Sequence, residues 1–306
     1  KFVNPNPIRG HLLRSRTNIS RLPAAPEARF DAIIVGGGIS GLCAARRLAR
    51  AGVEDLLLLE LESGLGGTSI ADSTPGSECP WGAHYIHVPP PEADCIHEVL
   101  REIGVIEGYD ARGWPQIPDE YLLRWPHERL YSEGTWQSEL GPANEFSDDD
   151  REQFLRFNDD MLRWALYRGR DGRKAFSLPL LYSTSDSAVR QLDRISMREY
   201  LERQGWSAPW VFWLTDYACR DDYGGTGSQV SAWAGLHYFA CRNYDYRIAS
   251  NYPTDVLTWP SGNGFMADRL AGLLEPAQRQ LNAAVVHIAS NGGGVDVGYL
   301  DVESGE

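Results

Sequence analysis

Between Asp31 and Glu60 the chain runs through an apolar stretch, a glycine-rich turn, a helix-spaced segment and a second apolar stretch. That is the order of a strand–helix–strand unit with parallel strands. Asp31-Ala32-Ile33-Ile34-Val35 is long enough for a buried parallel strand, and Leu56 to Leu59 supplies its neighbour. Between them stands Gly36-Gly37-Gly38-Ile39-Ser40-Gly41, a G-x-G-x-x-G turn. Leu42 to Ala51 follows at helical spacing, with Leu42, Ala45, Leu48 and Ala49 as its inward face and Gly52 as its stop. In such a turn Gly36 allows the tight bend, Gly38 lets a pyrophosphate approach the backbone, and Gly41 lets the helix pack on the strand. The phosphates then sit at the helix start, among the N–H groups of Ile39, Ser40 and Gly41. Glu60 lies nineteen residues after Gly41, where an acid hydrogen-bonds a ribose. Strand, glycines, helix, strand and terminal acid together read as a dinucleotide site.

The continuation Leu61-Glu62-Ser63-Gly64-Leu65-Gly66-Gly67-Thr68-Ser69 resembles the flavin amine oxidase superfamily, which includes monoamine, polyamine and L-amino acid oxidases and related desaturases. The resemblance extends to Trp81-Gly82-Ala83-His84-Tyr85 and to Trp259-Pro260-Ser261-Gly262-Asn263-Gly264, followed by a helix over Phe265–Leu274. It implies FAD as cofactor. It implies a GR2-type, Rossmann-like α/β FAD-binding domain with an inserted, largely helical substrate domain. By the same resemblance Leu61, Gly66, Gly67 and Thr68 lie along the phosphates and ribityl chain. Gly82, Ala83 and His84 pass the flavin ring, and Val285 holds the adenine through its backbone. Thr68 stands where the superfamily usually has Arg, so a charged phosphate contact is missing or supplied elsewhere.

A length of 306 residues accommodates two domains, and 42% hydrophobic with 23% charged residues is ordinary for a globular protein. A net charge of −13 argues against nucleic acid as a partner and is compatible with a cationic small-molecule substrate such as an amine. The lysines are Lys1 and Lys174, and Lys174 lies in a charged, loop-like stretch poorly suited to pairing with flavin N5. Cys43, Cys79, Cys95, Cys219 and Cys241 form no C-x-x-C, which argues against a zinc or iron–sulfur centre. No apolar run reaches transmembrane length. Residues 1–29, rich in Pro and Arg, read as an extended arm. Sequences of this kind often carry a twin-arginine leader ahead of such an arm, so a periplasmic or exported location is one expectation and a cytoplasmic one the other.

The FAD-binding domain is expected at 30–105 and 246–306, with the substrate domain at 106–245. Helices are predicted over 93–103, 148–167 (Ser147 as N-cap), 196–204 (a Ser196/Glu199 capping box), 208–218 and 230–240. Residues 114–136 read as short strands and turns. Strands 284–289 and 295–299 join through Asn291-Gly292-Gly293-Gly294, a hairpin turn.

Flavin would carry the redox chemistry, with hydride passing from a C–H next to nitrogen to N5 and reoxidation by oxygen or another acceptor. His84 is the polar residue expected nearest the ring, the alternative being a buried histidine bonded to backbone. Its i,i+3 partner His87 precedes Pro89-Pro90-Pro91, which argues against a helix and a metal pair. Tyr223, Trp233 and His237 are substrate-wall candidates, the alternative for Trp233 and Tyr238 being the core of a helix. Two other function classes stay open: a desaturase or isomerase acting on a non-amine apolar substrate, and a non-catalytic subunit keeping the fold. A superfamily member also needs a further cofactor segment beyond the hairpin. The 306 residues are therefore expected to be part of a longer polypeptide, or one of two chains that assemble, and to hold FAD weakly alone.

Overall fold

The computed structural model describes residues 6–12, 14, 28–124, 129–132, 134–137, 147–241 and 256–303. The chain packs as two compact units, Lys1–Ile86 with Thr258–Glu306, and His87–Leu257. The first boundary falls earlier than the expected 105/106 junction, so the helix Asp94–Glu102 belongs to the second unit. Its flanks are tied there: Lys174 pairs with Glu92, and His97 Nε2 lies 3.3 Å from the Pro89 carbonyl. The expected 245/246 junction lies outside the described residues.

In the first unit, Ala32–Val35 pairs in parallel with Leu56–Leu59, from Ala32 opposite Leu56 to Val35 opposite Leu59. Arg279–Gln280 pairs in parallel on the other side of Leu56–Leu59, which is therefore the central strand. All four residues of the central strand are apolar and Leu56, Leu58 and Leu59 are buried, as a strand covered on both faces requires. The helix Ile39–Arg50 buries Leu42, Ala45 and Arg46; Ala49, expected on that face, is exposed. Gly52, at φ +84°, ends it. Ala283–Ser290 and Val295–Asp301 form the antiparallel hairpin, with a register shift between Val285 and His287. The arm is not wholly extended, because Pro7–Leu12 is a short helix. Asn6 caps it, its Oδ1 accepting from Ile8 N at 2.9 Å, and Pro7 takes the first helical position.

The second unit is largely helical, with helices Asp148–Leu166, Met197–Arg203, Pro209–Tyr223 and Ala232–Ala240 around a core that includes Phe157, Met161, Phe176, Met197, Leu201 and Leu236. Ser147 and Asp150 form a reciprocal capping box at the head of the long helix. Ser196 caps the next through Glu199 N. Inside the core, Tyr200 OH donates to Asp160 at 2.8 Å and accepts from Trp164 Nε1 at 2.9 Å, so the buried carboxylate is satisfied. Among the described residues no helix is long and apolar enough to cross a membrane.

Candidate functional site

The glycine turn sits at the C-terminal end of the first strand. Gly36, at φ +97°, donates its N–H to the Leu59 carbonyl at 2.8 Å, tying the turn to the central strand. At Gly41 a Cβ would lie 1.9 Å from the Gly36 carbonyl oxygen, so the helix can lie this close to the turn only without a side chain. Gly38 differs. Its backbone is extended (φ −72°, ψ −180°), and a Cβ there would meet its nearest protein atoms, Gly67 Cα and Gly66 O, only at 3.8 and 4.0 Å. The fold does not itself need glycine at 38, and its bare backbone leaves room for something outside the chain. No side chain caps the helix at Gly38, and Leu42 N takes the Gly38 carbonyl at 2.9 Å. The N–H groups of Ile39, Ser40 and Gly41 precede that first helical bond, the arrangement that receives an anion.

The second glycine pair lies against the first. Gly66 N donates to the Gly37 carbonyl at 2.8 Å, and Gly66 and Gly67 take φ of +123° and +57°. The line continues sideways, since Ala83 N donates to the Thr68 carbonyl at 2.9 Å. A Cβ on Gly82 would lie 2.4 Å from that oxygen. Gly36–Gly41, Gly66–Thr68 and Gly82–His84 are thus brought together in one unit. Thr68 is exposed.

Glu60 is 8% exposed and its carboxylate is held at both oxygens. Oε2 accepts from Gly37 N at 2.6 Å and Oε1 from Glu62 N at 2.8 Å. These bonds occupy two of the carboxylate's four lone-pair positions and fix its plane beside the glycine turn. The Glu60 carbonyl accepts from Ala283 N at 2.8 Å, which anchors the strand carrying the half-buried Val285. Leu61 is half-buried and follows directly.

His84 is exposed, with Nδ1 3.1 Å from the Gly82 carbonyl and its ring edge-on to Tyr85 at 5.0 Å. It is therefore not the buried histidine of the alternative reading. Three consecutive carbonyls of its segment are held by the return segment, which sequence reasoning named only as a resemblance. Ala83 O accepts from Asn263 N at 3.0 Å, His84 O from Thr258 Oγ1 at 2.8 Å, and Tyr85 O from Asn263 Nδ2 at 3.2 Å. Gly262, at φ +55°, makes the approach possible, because a Cβ would lie 2.8 Å from His84 Cα.

Trp233, His237 and Tyr223 lie in the second unit. Trp233 and His237 stack at 5.2 Å and pack against Phe176, and the buried His237 places Nε2 3.2 Å from the Ser177 carbonyl. Tyr223 is exposed and its hydroxyl donates to the Ala234 carbonyl at 3.0 Å. Among the described residues no three His, Cys, Asp or Glu side chains cluster as metal ligands.

Residues 34–103 match the NAD(P)-binding Rossmann-like domain family. The chain superposes on putrescine oxidase with a TM-score of 0.62 over 90% of its own length and 55% of that chain, at 20% identity. The chain thus shares the fold of putrescine oxidase. An L-amino acid dehydrogenase of Synechocystis sp. is 25% identical over 278 residues, 89% of this chain and 53% of that protein. A Baeyer-Villiger monooxygenase of Stachybotrys chlorohalonatus is 31% identical over 123 residues, 40% of this chain and 18% of that protein. The chain thus spans about half the length of the dehydrogenase and of the putrescine oxidase.

Proposed function

We propose that the protein is a FAD-dependent oxidoreductase of the amine oxidase type. The observation that carries this reading is Gly38, a glycine that neither backbone conformation nor neighbouring protein atoms require, set at an uncapped helix start between two glycine turns. A pyrophosphate fits there. Gly38, Gly66 and Gly67 would give it room, and the N–H groups of Ile39, Ser40 and Gly41 would bind it. Glu60, already oriented by two backbone donors, would accept from ribose hydroxyls with its remaining lone pairs. Gly82 to His84, held by Thr258 and Asn263, would line the ring side, and Val285 the adenine side.

When bound, FAD supplies a hydride acceptor at N5 for an amine or amino-acid C–H, with oxygen or another acceptor taking the electrons on. His84 would meet the substrate side of the ring from a rigid segment. The acidic balance of the chain favours a cationic substrate. Among the described residues the strand Ala32–Val35 is an edge of its sheet and leaves Val35 52% exposed, which a further strand, from more chain or from a partner, would cover.

Titration with FAD and with NAD, followed by visible absorbance and flavin fluorescence, tests the cofactor. Peroxide release and dye reduction with a panel of amines and amino acids test the reaction. A folded chain that binds NAD and excludes FAD overturns the cofactor assignment. Flavin reduction by non-amine substrates only would move the protein to the desaturase and isomerase class.

A further inference from the structure

We propose that Arg9 is a positioning residue for Glu60, and that the arm helix Pro7–Leu12 belongs to the adenosine end of the dinucleotide site. The proposal rests on Glu60 facing a ribose, as read above.

One peptide plane links Arg9 to the Glu60 carboxylate. The group between Leu61 and Glu62 carries the Leu61 carbonyl on one side and the Glu62 N–H on the other. That N–H donates to Glu60 Oε1 at 2.8 Å. The carbonyl accepts from Arg9 Nη1 at 3.2 Å. Because the peptide is planar, fixing the carbonyl fixes the direction of the N–H, and so the carboxylate it holds. A donor on the carbonyl also polarises the amide and strengthens its own donation.

Arg9 is well placed for this task. Its side chain is 17% exposed, and Nη1 also donates to Asn282 Oδ1 at 2.7 Å. The guanidinium lies 3.6 Å from the Glu62 carboxylate and 3.9 Å from that of Glu303. Asn6 N, one residue before the arm helix, donates to Glu62 Oε1 at 2.8 Å. Glu62 is thus held through its side chain by the arm and through its backbone by Glu60. Asn282 is the described non-glycine residue with a left-handed backbone, at φ +59°, and it turns the chain into the strand carrying Val285. One guanidinium therefore braces both the acid and the corner leading to the adenine strand.

The test uses Arg9→Gln and Arg9→Lys in the full chain. In the ligand-free protein, hydrogen exchange should quicken several-fold at Glu62 in Arg9→Gln and remain unchanged at the amides of the Ile39–Arg50 helix. FAD affinity should fall about tenfold, equivalent to about 1.4 kcal/mol, while FMN, which lacks the adenosine half, should bind as it does to the parent chain. Arg9→Lys should fall between, since an ammonium keeps the attraction to Glu62 but lacks the planar guanidinium that aims Nη1 at Leu61 O and Asn282 while Nη2 faces Glu303. Unchanged exchange at Glu62, or equal loss of FAD and FMN affinity, overturns the proposal. A parent chain that binds neither flavin would overturn the FAD reading instead, and the exchange measurement would still decide whether Arg9 positions the Glu60 segment.

Discussion

Two alanine substitutions three residues apart in the glycine turn should fail in opposite ways. Gly41→Ala places a Cβ 1.9 Å from the Gly36 carbonyl oxygen and 3.1 Å from the Gly36 carbonyl carbon. Both are backbone atoms of a turn bonded to the central strand, so no side chain can move aside. The helix must lift by more than an ångström, which places the change in the overpacking range of about 1–3 kcal/mol or above. Gly38→Ala adds the same methyl where its nearest protein neighbours stand at 3.8 and 4.0 Å and the backbone is already extended. Its folding cost should lie within about 0.5 kcal/mol. The methyl instead occupies the approach to the helix N–H groups. Loss of even one charge-assisted bond to a phosphate, worth about 1.5–3 kcal/mol, lowers FAD affinity by about tenfold to a hundredfold or more. Urea unfolding followed by FAD titration separates the two effects. Gly41→Ala should lose stability, and Gly38→Ala should keep its unfolding midpoint and lose flavin. A Gly38→Ala chain that binds FAD as tightly as its parent would refute the placing of a pyrophosphate on this backbone.

Glu60→Gln should weaken FAD binding and also cost about 1–3 kcal/mol of stability, because both carboxylate oxygens accept backbone N–H groups and an amide NH₂ must face one of those donors; urea midpoints with and without FAD measure both losses. His84→Ala, at an exposed position, should change unfolding free energy by less than about 0.5 kcal/mol and lower turnover more than flavin content; flavin loss in step with activity would show a structural role. Asp186 caps the helix Ser187–Arg190 and is gripped by Arg170, chiefly through side-chain hydrogen bonds, which hold its carboxyl down to about 2. A depressed carboxylate adds stability above the unfolded pKa near 4, and that stability is lost as pH falls from about 4 to about 2. Melting temperature should therefore drop more steeply through that window in the parent than in Asp186→Asn, and parallel curves would contradict the assignment.

The elements that were legible in sequence are those whose causes are local. The two apolar strands, the capped helices at Ser147 and Ser196, and the hairpin at Asn291–Gly294 each follow from a few neighbouring residues and appear where those residues predict. Gly36, Gly41 and the Gly66-Gly67 pair were legible for a related reason: a positive φ at Gly36, Gly66 and Gly67 and the close backbone contact at Gly41 disfavour any side chain, and so leave a mark in composition. The arm helix had a local signal too, the Asn6-Pro7 pair, but one turn of helix carries no periodicity to find. What stayed hidden depends on contacts across long stretches of chain. Glu60 was legible as an acid after a strand, whereas its donor Gly37 N lies 23 residues earlier and depends on how the turn meets the strand end. Arg9 reaches Asn282 across 273 residues, and Asn263 reaches Tyr85 across 178. No spacing rule links such pairs. The same division bears on function. The glycines make a dinucleotide site possible. On the proposed reading, how firmly the site holds its ligand would depend on long-range braces such as Arg9 and Asn263, which are ordinary polar residues in an arm and a turn until the fold brings their partners to them.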